Sequence, residues 1–282
     1  MNIITDPQEL QRQCLAWRSE GKTIGLTPTM GYLHAGHTAL MDRIRPKCDR
    51  MVVSLFVNPA QFGENEDLSS YPHDLEGDCA KAEAHGADLL FAPAPDAMYA
   101  PGHATWVEAP ALATCLCGVS RPVHFRGVCT VVTKLFQLAQ PTVAVFGEKD
   151  WQQLAIIRRM VRDLNMPVEI IGQPIVREPD GLALSSRNAY LTKTERAAAP
   201  GIRKGLLALR DRVVAGQRDA AEAKAWLKAE YAATLPMGEV DYIDIVDPAD
   251  IVPVERISGP VLAAVAVRMG KARLIDNILI EV

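Results

Sequence analysis

Two histidines three residues apart, His34 and His37, lie in the stretch PTMGYLHAGH at positions 28–37. The alternation of apolar runs puts that stretch between a strand and the helix after it, the place where open α/β sheets bind ligands. Gly31 and Gly36 let backbone approach a ligand closely. A helix start also offers N–H groups and a positive dipole end, which suit phosphate. Imidazoles at the first turn can add hydrogen bonds to phosphate oxygens. Two rival readings stand beside this one. A metal pair would need a third protein ligand, and the familiar helical zinc motif spaces its histidines four apart with a glutamate between them. The other rival is a pair of histidines satisfied within the fold.

Three further segments carry polar groups at matching places. FVNPAQFG at 56–63 ends a strand and supplies Asn58 and Gln61, uncharged amides suited to the hydroxyl and carboxylate groups of a small substrate, although Asn-Pro is also a turn signal. GEKDWQQ at 147–153 follows another strand. Lys149 at a helix start makes sense if an anion binds above it, while Asp150 reads equally as a helix cap. LSSRN at 184–188 brings two hydroxyls, Ser185 and Ser186, together with the Arg187 guanidinium, a set able to close over a polyphosphate or to form a plain loop. LCGVSRPVHFRG at 116–127 adds Arg121, His124 and Arg126. These loops concentrate positive charge and support a nucleotide site.

The elements that must position these groups follow from periodicity. Residues 23–27, 51–57, 87–92, 142–146 and 168–175 read as strands, and residues 34–45, 74–85, 128–139 and 151–164 as helices. Their alternation predicts an α/β fold with a doubly wound parallel sheet. After the turn signal Pro179-Asp-Gly181 the character changes. The stretch 193–233, rich in Ala, Lys, Arg and Glu, predicts two helices with a break near Gly216, and strands follow at 241–246, 261–267 and 273–282. Two domains are expected, 1–175 and a smaller α+β domain at 176–282.

Composition limits the partners. The 282 residues carry 30 Lys and Arg against 34 Asp and Glu, a net charge of −4, so no general basic field draws nucleic acid or an anionic membrane surface. The longest strongly apolar run, 261–267, is far short of the ~20 residues of a membrane-spanning helix. The first residues lack the basic and apolar regions of a signal peptide, which points to the cytoplasm. Six scattered cysteines in a core-rich chain read as reduced thiols.

In order, the segments 28–37, 56–62, 124–134, 146–153 and 182–188 resemble the pantoate–β-alanine ligase family of the nucleotidylyltransferase superfamily, whose His-x-Gly-His motif stands here as His34-Ala35-Gly36-His37. The similarity runs along essentially the whole chain. It implies an ATP-dependent ligase that needs Mg²⁺, with a Rossmann-like first domain, a C-terminal lid domain and a homodimeric state. Carried over residue by residue, it implies an ATP site at Met30, His34, His37, Gly147, Lys149, Asp150, Val176, Ser185, Ser186 and Arg187. Gln61 and Gln153 would hold pantoate, with Met30 and Val132 facing its methyl groups.

His37 takes the proton-donor position, and His34, Lys149, Ser185 and Arg187 would act with it in catalysis. Asn58, Arg121 and His124 are the candidates for β-alanine or a phosphate, and Asp78 is the candidate Mg²⁺ ligand. Two departures stand out: Ala35 replaces a common acidic residue, and Val123 replaces a common glycine, whose left-handed conformation valine adopts only at a cost. A nucleotidylyltransferase that makes a dinucleotide, a dehydrogenase and a nucleotide sensor are the alternatives. The first would need a second nucleotide or phosphate pocket instead of the two glutamines, the second lacks its Gly-x-Gly-x-x-Gly turn, and the third does not explain the glutamines beside phosphate cations.

Overall fold

The structure is a computed structural model that describes residues 1–64 and 66–282. The chain runs through β1 (Asn2–Ile4), α1 (Pro7–Ser19), β2 (Ile24–Thr29), α2 (Ala35–Ile44), β3 (Arg50–Leu55), α3 (Leu75–Ala84), β4 (Leu89–Phe91), α4 (Pro95–Met98), α5 (Cys117–Ser120), α6 (His124–Ala139), β5 (Val143–Gly147), α7 (Trp151–Asp163) and β6 (Glu169–Gln173). It continues through α8 (Lys193–Ala198), α9 (Gly201–Val214), α10 (Ala220–Thr234), β7 (Gly238–Val246), β8 (Val261–Met269) and β9 (Ala272–Ile280). Two compact units divide it. One is built from Met1–Pro110, Arg121–Glu148 and Ile156–Pro174, the other from Ala111–Ser120, Lys149–Ala155 and Ile175–Val282.

The first unit holds a parallel sheet in the order β1-β4-β3-β2-β5-β6, the doubly wound α/β architecture that the alternation of strands and helices predicts. Alternate residues of β3, Met51, Val53 and Leu55, share a core with Leu40, Met41 and Ile44 of α2 and Ala82 of α3. The chain leaves β2 toward β3 and β4, then returns to its other side at β5. The order therefore reverses between β2 and β5, the switch point where such sheets receive ligands.

These two strands pair only at Gly25–Val143 and Leu26–Ala144, whereas β2 and β3 pair over six positions. Pro28 accounts for the difference. The carbonyl of Thr29 accepts from Phe56 on the β3 side, so its neighbour Pro28 faces β5 and has no N–H to give. The carboxyl ends of β2 and β5 thus part where the PTMGYLHAGH loop begins.

The second unit holds the antiparallel sheet β7-β8-β9, covered by α9 and α10. Ile202, Leu206, Leu209 and Val213 follow one face of α9, and Ala223, Leu227 and Tyr231 one face of α10. They meet the alternate residues Val261, Ala263, Val265 and Val267 of β8. A stripe of period 3.6 packs on one of period 2, as a helix on a sheet requires.

Several boundaries differ from the sequence expectation. The strand expected at 23–27 extends to Thr29, and the helix expected from residue 128 begins at His124. β1 and α1 precede them. β1 has three residues, too few for a period, and α1 buries only Leu10 and Cys14, although Asp6 caps it and Pro7 opens it. The stretch 193–233 forms three helices rather than two: α8 ends at Ala198 and α9 starts after Pro200. Pro200 has no N–H to continue the ladder of α8, so the early break belongs there.

Candidate active site

In the first unit the loop after β2 turns through two left-handed residues, Gly31 at φ 86° and Tyr32 at φ 53°. Consecutive N–H groups in such a turn form a concave nest for an anion. Asp78, in the first turn of α3 and only 2% exposed, fills it: its carboxylate accepts from Tyr32 N–H at 2.7 Å and Leu33 N–H at 2.6 Å. The N–H of Gly31 goes to the Thr29 hydroxyl. His34 is the N-cap of α2, and its Nδ1 accepts from Gly36 N–H at 3.1 Å. His37 reaches back, its Nδ1 accepting from His34 N–H at 3.2 Å. The two rings lie 4.1 Å apart, tilted by 32°.

These contacts change the reading of the motif. The backbone N–H groups of Gly31, Tyr32, Leu33, His34 and Gly36, expected to be open to phosphate, are taken inside the chain. Both Nδ1 atoms act as acceptors, so a neutral ring carries its hydrogen on Nε2 in each case. The cap thus fixes the tautomer of both rings. The satisfied-histidine reading holds for Nδ1 of each ring, which serves the fold.

Mg²⁺ fits these residues poorly as a resident ion. Both Asp78 oxygens hold backbone N–H groups, and among the described residues no group of three His, Cys, Asp or Glu side chains gathers to bind a metal.

The turn after β3 carries the amides. Asn58, 1% exposed, accepts from Ala60 N–H and donates from Nδ2 to Gln61 Oε1 and to the Gly127 carbonyl, each at 3.1 Å. Gln61 Nε2 lies 3.2 Å from the Met30 sulfur, so two of the expected pantoate residues do meet. A Cβ on Gly127 would sit 2.3 Å from the Ala60 carbonyl oxygen, so only glycine lets α6 lie this close to the Pro59–Gln61 turn. Val132 is buried on α6.

Arg121 and His124 also gather on Gln61, but at its backbone. His124 Nδ1 donates to the Gln61 carbonyl at 3.0 Å, Arg121 donates to the same oxygen at 3.3 Å, and a guanidinium nitrogen lies 3.2 Å from His124 Nε2. Glu66 pairs with Arg121. Burial opposes ionisation of Glu66, but the hydrogen bonds and charge of Arg121 outweigh it and hold the carboxyl below its usual range. Arg126 stacks on Trp106 and lies 3.8 Å from Glu108. The arginines expected to form a cationic loop each have a carboxylate beside them. Val123 sits at φ −91°, in right-handed space, so its replacement of glycine carries no backbone strain.

The remaining expected residues belong to the second unit, apart from Gly147 at the end of β5. Lys149 and Asp150 lie in a short 3₁₀ turn before α7, 3.8 Å apart, and Asn277 of β9 holds the Lys149 carbonyl. Gln153 is half-buried in the first turn of α7. Its neighbour Gln152 is structural, bonding Leu112, Cys115 and Cys117.

Val176 and the serine segment come together through a small hairpin. Arg177 bridges Ala183, Leu184 N–H donates to the Val176 carbonyl at 3.0 Å, and Gly181 turns the chain. Ser185 caps the 3₁₀ turn that holds Ser186 and Arg187. Lys149, Ser185 and Asp276 share the wall of a small cavity with Leu182, Ile202 and Leu274. Tyr99, Gly127, Asn277 and Asp276 carry no signal in their own sequence neighbourhood, because each matters through a partner far along the chain.

Comparisons with known proteins agree along the full length. A family model described as pantoate-beta-alanine ligase matches residues 2–279. A pantothenate synthetase of Maridesulfovibrio salexigens is 62% identical over 282 residues, covering 100% of both chains, and one of Heliobacterium modesticaldum is 52% identical over the same span. The crystal structure of pantothenate synthetase from Thermus thermophilus superposes with a TM-score of 0.91 at 46% identity, covering 99% of each chain. A pantoate-beta-alanine ligase from Francisella tularensis, solved with beta-gamma ATP and beta-alanine, gives 0.79 at 31% identity, covering 99% of this chain and 97% of that one. With its parallel sheet, its C-terminal antiparallel sheet and its histidine motif all in place, the chain belongs to the pantoate–β-alanine ligase family.

Proposed function

We propose that the protein condenses pantoate with β-alanine at the expense of ATP, through a bound pantoyl adenylate. The observation that carries this reading is the pair of adjacent imidazoles, His34 and His37, whose tautomers are set by the cap of α2. Two fixed Nε2–H donors suit the oxygens of an α-phosphate on which negative charge builds during attack. The Francisella relative, solved with an ATP analogue and β-alanine, supports the same substrates here.

The chemistry has two transfers. A pantoate carboxylate oxygen attacks the α-phosphorus of ATP in line, a new O–P bond forms, and the bond to pyrophosphate breaks. His37 is the proton donor at the phosphate, with His34 beside it. Lys149 and Arg187 neutralise charge on the triphosphate, Ser185 and Ser186 donate hydrogen bonds to it, and Gly147, Asp150 and Val176 hold the nucleotide with Met30. Gln61 and Gln153 bind pantoate, Met30 and Val132 facing its methyl groups. The β-alanine amine then attacks the acyl carbon, the C–O bond to AMP breaks, and the amine loses a proton. Asn58, Arg121 and His124 shape this part of the site through Gln61. A homodimer in the cytoplasm is the accompanying expectation, supported by family resemblance and by six free cysteines; sedimentation velocity tests the dimer.

Pyrophosphate exchange tests the order of steps. With pantoate and Mg²⁺ but no β-alanine, labelled pyrophosphate should enter ATP, because the first transfer is reversible. Exchange that requires β-alanine would reject the stepwise route, and exchange without pantoate would point to another acceptor.

A further inference from the structure

We propose that Tyr99 is a positioning residue that holds Asn58, and through it the Gln61 amide, in the orientation in which Gln61 presents N–H groups, and not its oxygen, to the ligand. The inference rests on the reading above, in which Gln61 binds pantoate, and it takes the carboxylate as the group that Gln61 meets.

The polarity follows from groups whose roles cannot reverse. The Gly127 carbonyl only accepts and the Ala60 N–H only donates. They lie 3.1 Å from Asn58 Nδ2 and 3.3 Å from Asn58 Oδ1, and so fix which end of that amide is which. Its second Nδ2 hydrogen points at Gln61 from 3.1 Å, and the Gln61 atom there must accept, which makes it Oε1. Nε2 is then the other end, 3.2 Å from the Met30 thioether. Sulfur is a weak acceptor, and a carboxylate oxygen would displace it readily.

Tyr99 completes the lock. Its hydroxyl donates to Asn58 Oδ1 at 2.8 Å, shorter than the Ala60 contact to the same atom. Burial pushes its pKa up to about 12, against the smaller opposing effect of the Asn58 hydrogen bond, so the hydroxyl keeps its proton. The ring is held by Phe56 at 6.4 Å and His103 at 5.0 Å, with the Lys134 ammonium 5.7 Å from its centroid. Nothing about Tyr99 requires it to touch substrate. It works one residue removed, by keeping Asn58, which is 1% exposed, in a single orientation.

Two variants of the full-length enzyme test this. Tyr99→Phe keeps the ring and deletes the hydroxyl, so thermal unfolding should be close to wild type. The KM for pantoate should rise roughly 3–10-fold, the value of one hydrogen bond, with kcat and the KM for ATP unchanged. Gln61→Glu still accepts from Asn58 but turns a second oxygen toward the acid. It should raise the pantoate KM on the order of 100-fold, as expected when a like charge replaces a charge-assisted hydrogen bond. An amide that used its oxygen to receive a substrate hydroxyl would tolerate that change.

A pantoate KM unaltered by Tyr99→Phe, an equal loss for both substrates, or a Gln61→Glu enzyme that binds pantoate normally would overturn the inference. Wild-type enzyme that releases no pyrophosphate with pantoate would overturn the functional reading instead.

Discussion

His37 receives the backbone N–H of His34 on its Nδ1, 3.2 Å away, and His34 in turn caps α2. Each ring therefore serves the fold through Nδ1, and the proposed function assigns its chemistry to Nε2, so substitution can separate the two. Asparagine is among the best N-cap residues. His34→Asn should hold the helix start within about 1 kcal/mol of wild type while removing an Nε2–H donor, at a cost on the order of 10²–10³ in turnover. Thermal unfolding beside single-turnover adenylation checks this. Equal adenylation rates would leave His34 with only its cap.

Both Asp78 oxygens are engaged by the Tyr32 and Leu33 N–H groups, the place an external anion would otherwise take. Asp78→Asn keeps one acceptor but sets an amide N–H₂ against a backbone N–H. About 1–3 kcal/mol of stability should go with it, and turnover should fall as the loop before His34 loosens. The Mg²⁺ concentration for half-maximal activity should stay where it is. A shift of that midpoint in the variant would restore Asp78 as a metal ligand.

Glu66 ties Arg121 to the loop that supports the Gln61 backbone. Burial raises its pKa, but Arg121 lowers it further, so the folded value lies below the ordinary 4.5. A group with a depressed folded pKa stabilises above its unfolded value, and that contribution fades as pH falls through the folded one. Glu66→Gln should thus be less stable than wild type at pH 7, by about 1 kcal/mol at most for a partly exposed pair. The gap should narrow steadily below pH 4.5. Urea unfolding at pH 7 and pH 3.5 decides; a gap independent of pH would mean that charge is not involved.

The sheet, its order of helices and the motif loops were legible because apolar period and turn residues are local properties. Geometry that depends on distant partners was not. Glu66 lies 55 positions from Arg121 and Asp78 lies 45 from Leu33, so the sequence shows cationic loop residues and a loop open to phosphate where the fold supplies a carboxylate to each. The capping box was hidden for another reason: histidine is an unusual cap, and the Ser, Thr, Asp or Asn that would announce one is absent. Val123 shows a substitution misjudged from its family position. At φ −91° the backbone suits any residue, and the glycine that the family resemblance implies is not needed there.

Arg177 and Asp276 form a bidentate pair at 2.7 and 2.8 Å, with side chains 18% and 4% exposed. Asp276 on β9 thereby anchors the hairpin that carries Ser185, because the same guanidinium also donates to the Gly181 carbonyl at the hairpin turn. Arg177→Met would strand a buried carboxylate, and loss of one partner from such a pair costs about 3–5 kcal/mol. The double variant Arg177→Met, Asp276→Leu removes the stranded charge and should recover most of that loss. It would still lack the hold on the turn. Its KM for ATP should therefore stay raised even where its unfolding midpoint approaches wild type, since the serine segment has lost its tether and the core has not. Chemical denaturation and ATP kinetics on the single and double variants make the comparison. Recovery of both properties together would show that the pair serves only stability and leaves the hairpin to its own backbone contacts.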